Sequence, residues 1–345
     1  MRDRPTANPT NRFASTETIY DEGEAPPPSS LQLIDDQSRS ILAHNDSPDI
    51  GFRWSVNPYR GCSHACAYCY ARPSHEYLDM GAGTDFDTKI VVKRRAAELL
   101  REAFDKPSWE GEQVMFSGVT DCYQPAEAEL QLTRQCLEVC LEYKNPVGLI
   151  SKSVLVLRDI ELLAELSREA GLHVGVSVAF ADAEPARAIE PWAPTPARRF
   201  KVIEALAKAG ITVGVICAPV MPGLNDDQMV RVLERARDAG ATTAHWVLLR
   251  LPGAVATVFE ERVRGVMPLA ADKILHRIRE TRGGEKLYDS RFHVRGRGEG
   301  VYAQALDAMF EATVTRLGFT HRGEHRLMES RFRRPEKPKP QLSLF

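Results

Sequence analysis

Short apolar runs alternate with helix-length amphipathic stretches from Gly51 onward, and this alternation restricts the possible folds more than any other feature of the chain. Residues 52–56, 113–117, 147–151, 173–179, 211–218 and 244–250 read as strands, rich in β-branched and aromatic residues and bounded by turn residues. Residues 93–104, 126–142, 158–170, 197–209, 226–239 and 270–281 carry apolar side chains at helical spacing. Three of these helices stop at Ala170-Gly171, Ala209-Gly210 and Ala239-Gly240, where glycine takes a left-handed cap without a Cβ clash. Six βα units in a row predict a parallel sheet, either open and doubly wound or curved into a partial barrel.

The ends differ from this body. Residues 1–50 hold six prolines, among them Pro26-Pro27-Pro28, and nine Asp and Glu against four Arg, which predicts a disordered acidic N-terminal arm. Residues 286–325 are expected to form a small C-terminal extension, an Arg- and Gly-rich loop followed by a helix over 302–317. Residues 326–345 read as a disordered basic tether rich in Pro and Lys. Residues 291–345 hold eleven Lys and Arg against six Asp and Glu, while the whole chain has a formal net charge of −2. Such a basic tail is compatible with nucleic acid and equally with plain solvation. No apolar run nears the ~18 residues that would span a bilayer, and residues 1–12 lack a signal-peptide core. The expectation is a cytoplasmic protein with no membrane part.

Seven cysteines in a long chain without a secretion signal do not suggest a disulfide framework. Three of them, Cys62, Cys66 and Cys69, stand at the spacing C-x3-C-x2-C. Thiolates this close can wrap one soft metal centre. Structural zinc takes four ligands and iron–sulfur clusters commonly take four cysteines. Either a further residue completes the shell, with His64 or His75 the candidates for zinc, or one coordination position is left open for chemistry.

An aromatic, Tyr68, precedes the third cysteine, and the loop follows the first strand of the βα body. On these features the chain resembles the radical SAM superfamily. The runs Asn57-Pro58-Tyr59-Arg60-Gly61-Cys62 and Thr120-Asp121-Cys122-Tyr123-Gln124-Pro125 resemble its branch related to spore photoproduct lyase. The resemblance implies an α/β fold built as a curved partial (β/α)6 barrel over residues 51–285. It implies a [4Fe–4S] cluster on Cys62, Cys66 and Cys69, with S-adenosylmethionine (SAM) chelating the fourth iron. It further implies an external electron donor and reductive cleavage of SAM to a 5′-deoxyadenosyl radical.

In such a barrel the remaining ligands gather at the C-terminal ends of the strands. The candidate cofactor-binding residues are Tyr68, Gly118, Thr120, Asp121, Lys152, Ser177, Arg187 and Arg198. By the resemblance, Gly118, Thr120 and Asp121 lie where the SAM amino group is received, and Ser177 lies where the ribose is. Lys152 could meet a carboxylate or phosphate, and a fork from Arg187 or Arg198 suits the SAM carboxylate. The plain alternatives are a helix-capping Asp121, a solvated Lys152, a backbone-bonded Ser177, and pairing of Arg187 or Arg198 with Glu190. Cys122 is the candidate hydrogen-atom donor by the same resemblance; its alternative is a packed core thiol. Cys136, Cys140 and Cys217 read as core. His75-Glu76 could do acid–base work or simply pack the loop, and Arg295-Gly296-Arg297-Gly298 could contact phosphate or be a solvated turn.

The chain ends in Gln341-Leu342-Ser343-Leu344-Phe345, which resembles the peptide by which bacterial replication and repair proteins dock on the DNA sliding clamp. Gln341, Leu342, Leu344 and Phe345 would be its anchors, carried on the tether. The expected function is therefore that of a radical SAM enzyme acting on nucleic acid, such as a damaged DNA base. The alternatives are radical modification of RNA or of a small molecule, and a non-catalytic zinc-stabilised scaffold that docks on the clamp.

Overall fold

A computed structural model describes residues 8–13, 30–320 and 329–336. The strands are β1 (Gln32–Asp35), β2 (Leu42–His44), β3 (Trp54–Val56), β4 (Tyr59–Arg60), β5 (Lys89–Val92), β6 (Val114–Phe116), β7 (Val147–Ser151), β8 (Leu172–Ser177), β9 (Thr212–Val220) and β10 (Thr243–Leu248). The helices are α1 (Thr84–Thr88), α2 (Ala96–Phe104), α3 (Glu127–Leu130), α4 (Leu132–Glu142), α5 (Ile160–Glu169), α6 (Ala183–Ile189), α7 (Pro196–Lys208), α8 (Met229–Asp238), α9 (Val255–Val266), α10 (Ala271–Glu280) and α11 (Gly300–Leu317).

Seven strands form one sheet in the order β10-β9-β8-β7-β6-β3-β2. The six from β3 to β10 pair in parallel, and β2 adds antiparallel to β3 at one edge. This is the α/β partial barrel that the βα alternation and the resemblance anticipate. Parallel strands are covered on both faces, so they read as nearly continuous apolar runs; Val147, Leu149, Val174, Val176, Val213 and Val215 are all buried. A second apolar cluster, with Phe180, Ile189, Met221, Leu249 and Phe259, includes Cys66 and Tyr68 of the cysteine loop. Among the described residues no helix is long and apolar enough to cross a membrane.

Three departures from the sequence reading concern the two ends of the chain and one helix. The arm expected to be disordered over 1–50 contains two strands. β1 pairs with β5 in a separate three-stranded sheet, β2 pairs with β3, and Ile41 enters the main core. Those few apolar side chains find an open sheet edge, which composition cannot reveal. The helix expected over 126–142 is broken at Gln131, whose φ is +51°. The cause is Glu127: its carboxylate turns back to accept the backbone N–H groups of Thr133 (2.9 Å) and Arg134 (3.2 Å), capping α4.

The third departure concerns the basic tail, whose residues 330–334 are bound to the body. Phe332 packs against the rings of Phe104 and Tyr143, with centroids 6.0 and 6.2 Å away. The Ser330 hydroxyl donates to the Gly111 carbonyl (2.7 Å) and the Arg333 N–H donates to the Tyr143 carbonyl (2.9 Å). The Arg334 guanidinium donates to the carbonyls of Phe104, Lys106 and Trp109, at and beyond the end of α2. Gly111 has φ +75°, and a Cβ there would lie 2.2 Å from Phe332 Cβ, so glycine is required on both counts. Gly111 and Tyr143 precede β6 and β7, which puts this anchor at the N-terminal edge of the sheet. The last five residues lie outside the described residues.

Phe332→Ala should lower the unfolding free energy by about 1–3 kcal/mol, less than for a fully buried Phe because this ring is half-buried. Urea unfolding followed by tryptophan fluorescence measures it; an unchanged midpoint would mean that the tail is not bound.

Candidate active site

The first parallel strand, β3, delivers the chain to the three cysteines. Gly61 has φ +83°, and a Cβ there would stand 2.9 Å from both the Phe86 carbonyl and the His75 ring. That crowding explains a glycine directly before Cys62. The Cys62 N–H donates to the Phe86 carbonyl (3.0 Å), Ala65 N–H to the Cys62 carbonyl (3.2 Å), and Cys69 N–H to the Cys66 carbonyl (3.2 Å). From the other side, the Thr120 hydroxyl (2.6 Å) and the Gln124 amide (3.0 Å) both donate to the Gly61 carbonyl.

Cys62 and Cys66 are buried and Cys69 is half-buried. Burial pushes the Cys66 thiol up to about 11, against the pull of Lys152, and raises those of Cys62 and Cys69 as well. Cys66 and Cys69 add to the rise at Cys62, so the three sulfurs lie within electrostatic range of one another. Among the described residues no three Cys, His, Asp or Glu side chains already meet as a finished metal group. What fits an iron–sulfur cluster is the donor set: three cysteines on one braced loop, within electrostatic range of one another, with a cation at Cys66. Binding a cationic centre would relieve the burden of burying three sulfur anions.

That cation is Lys152, directly after β7. Its Nζ lies 3.3 Å from Cys66 Sγ, 3.0 Å from the Tyr68 hydroxyl and 3.3 Å from Glu190 Oε1. Glu190, just past α6, also accepts from the Tyr68 hydroxyl and from Arg199 of α7. Burial alone would raise the Glu190 carboxyl, but Arg199 and Lys152 hold it down at about 2. The buried Arg199 and the largely buried Lys152 thus face the Glu190 carboxylate beside the cysteine loop, and the Asp121 carboxylate adjoins them at the Lys152 N–H. His64 stays neutral, since burial depresses it to about 4.

Asp121 binds the loop network to β7: its carboxylate accepts from the Ser151 hydroxyl (2.7 Å), the Lys152 N–H (3.0 Å) and the Tyr123 N–H (3.0 Å). Gly118 is held by Asn57, whose side-chain oxygen accepts its N–H (2.9 Å), and its carbonyl accepts the Tyr70 hydroxyl (2.7 Å). Tyr68, Gly118, Thr120, Asp121 and Lys152 therefore converge on the cysteine loop. Ser177 donates to the Ala218 carbonyl (3.3 Å), the plain alternative for a strand serine.

Arg187 and Arg198 are both exposed. The buried arginine of this segment is Arg199, which shares its helix face with Val202, Ile203 and Leu206; that i, i+3, i+4, i+7 spacing is the sequence signal for it. Cys122 has no exposed surface and lies in the main core with Cys136, Cys140 and Cys217. His75 packs on Phe86 (5.1 Å) with Nε2 2.9 Å from the Lys89 carbonyl, so it fastens the loop. Arg295 pairs with Asp49 (2.5 Å) and Arg297 with Asp307 (3.0 Å), neither needing a ligand. The sequence reading passed over Tyr70 and Arg250. Tyr70 is 48% exposed and the Arg250 guanidinium sits 5.3 Å from its ring centre.

Comparison with known proteins gives the family of this chain. Two protein-level relatives are an uncharacterized protein of Mycobacterium tuberculosis (strain ATCC 25618 / H37Rv) and one of Methanocaldococcus jannaschii. The first is 42% identical over 193 residues, covering 55% of this chain and 57% of its own length. The second is 28% identical over 202 residues, covering 59% and 73%. The chain thus spans little more than half the length of the mycobacterial relative. Among solved structures, a spore photoproduct lyase variant is similar with a TM-score of 0.59 at 14% identity, covering 84% of this chain and 82% of that one. Another lyase variant, with bound AdoMet and dinucleoside spore photoproduct, gives 0.58 at 14% identity and covers 84% of this chain and 82% of that one. At such identity the likeness is one of fold. The family model for the radical SAM superfamily matches residues 56–236, from the end of β3 into α8, and this chain belongs to that superfamily, whose members use a [4Fe–4S] cluster and SAM.

Proposed function

We propose that this protein is a radical SAM enzyme that acts on nucleic acid, with a damaged DNA base as the first substrate to test. The observation that carries the reading is the ion cluster of Lys152 and Arg199 on Glu190, with the Lys152 ammonium against Cys66 of a three-cysteine loop. Cys62, Cys66 and Cys69 would hold the cluster. Lys152 would face the SAM carboxylate, an anion that a largely buried ammonium is suited to receive. When bound, the cluster and SAM supply one-electron cleavage of the sulfonium, with the electron from an external donor, to give methionine and a 5′-deoxyadenosyl radical that abstracts a hydrogen atom. The loop's burial keeps water and stray hydrogen donors from that chemistry.

Three features support a nucleic-acid substrate. Tyr70 and Arg250 offer an aromatic face and a cation together, and Trp192, also exposed, follows the Glu190 cluster and donates its backbone N–H to the His64 carbonyl (3.4 Å). Exposed rings near a cation stack unpaired bases. A lyase of this fold holds a dinucleoside photoproduct, which makes a pyrimidine lesion the natural test. The clamp-like peptide belongs to the same reading: the nine residues after Glu336 can reach about 30 Å from the anchor at the sheet's N-terminal edge.

Anaerobic reconstitution should give a brown protein that yields 5′-deoxyadenosine from SAM under reducing conditions, and replacing all three cysteines by alanine should abolish both colour and product. Colourless protein carrying one zinc would favour the scaffold instead. Adding ultraviolet-damaged DNA should consume the lesion; turnover only with RNA or with neither polymer would replace the DNA assignment. Lys152→Ala should leave iron bound but weaken SAM roughly 10–100-fold, the worth of a charge-assisted contact; equal SAM affinity would remove Lys152 from the site. Immobilised sliding clamp should retain the intact protein and lose the Leu344→Ala/Phe345→Ala variant.

A further inference from the structure

Arg72 lies three residues past the last cysteine and has no exposed surface. Its guanidinium makes five hydrogen bonds. Nε (3.1 Å) and Nη2 (2.9 Å) both donate to the Cys66 carbonyl, Nη1 donates to the carbonyls of Ala82 (3.0 Å) and Gly83 (2.9 Å), and Nη2 meets the Asp87 carboxylate (2.9 Å). Asp87 is equally buried, and the Phe86 ring lies 5.1 Å from the guanidinium carbon. The neighbouring Phe86 carbonyl is the group that holds the Cys62 N–H. One short segment, Thr84–Thr88, therefore braces two of the three cysteines: Cys62 directly, Cys66 through Arg72.

Burying a full charge pair for structural support alone is a weak device, since apolar residues of similar volume often serve as well. A planar fork of five donors does something apolar packing cannot: it gathers carbonyls that all point inward and fixes their mutual angles. It also turns the positive end of a buried dipole toward the loop while Asp87 balances the charge on the far side. We propose that Arg72, with Asp87, is the positioning residue of the cysteine loop: it sets the loop's shape before any metal arrives and makes the bound cluster easier to reduce. This rests on the cluster reading above. Charge and hydrogen bonding around a cluster set its potential, and outer-shell partners hold the ligands in place.

Three proteins test it: the wild type, Arg72→Lys, and the double variant Arg72→Gln/Asp87→Asn, which leaves no lone buried charge. In the metal-free proteins, alkylation of Cys66 should be roughly tenfold faster in both variants than in the wild type. After reconstitution, both should lose iron to a chelator roughly 10–100-fold faster. The midpoint potential, read by electron paramagnetic resonance during redox titration, should fall in the double variant. It should stay near the wild-type value in Arg72→Lys, which keeps the charge but not the fork. Equal alkylation and equal potentials across all three would overturn the role of Arg72. A wild type that takes up no iron would instead overturn the cluster reading, and the alkylation rates would still decide on Arg72.

Discussion

A carboxylate stays ionised inside a protein only where opposite charges and hydrogen-bond donors surround it, and Glu190 meets that condition with partners from three separate parts of the chain. Tyr68 comes from the cysteine loop, Lys152 from the end of β7 and Arg199 from α7. Withdrawing Arg199 or Lys152 takes a cation from a buried carboxylate, and withdrawing Tyr68 takes a hydrogen-bond donor from it. The loop is thereby tied to the barrel at one position, with the Lys152 ammonium held against Cys66.

The remaining supports follow the same logic of buried polar groups that must be satisfied. Behind the loop, Phe86, Asp87 and Lys89 take up the Cys62 N–H, the Arg72 guanidinium and His75. In front, Thr120 and Gln124 share the Gly61 carbonyl, and the Gln124 side chain accepts the Ser63 N–H (3.3 Å). A loop held on both sides is suited to chemistry whose reactive species must form beside its target. The tail anchor at Gly111, Phe104 and Tyr143 lies at the other edge of the sheet, so the two features do not compete for space.

Most of the barrel was legible because parallel strands and their helices obey simple periodicities. Each of the six expected strands lies within a few residues of an observed one. The break at Gln131 was not legible, because it depends on Glu127 accepting bonds from Tyr59 and Arg158 as well as capping α4. The strands β1, β2 and β5 were missed for a related reason. They are short, and their pairing is a contact between remote segments. Helix α9 lies outside a strict βα alternation, which offers no place for a second helix after β10.

The sequence by itself determined the type of fold and the close spacing of three cysteines, because period, glycine caps and residue spacing are local properties of the chain. Only the tertiary structure decided which charges gather at the cysteine loop. It turned Arg198 to solvent and Arg199 inward one residue later, buried Cys122, and brought Lys152 to Cys66 across 86 residues. Which ion is buried, and against what, depends on the packing of remote segments, and no local pattern carries that information.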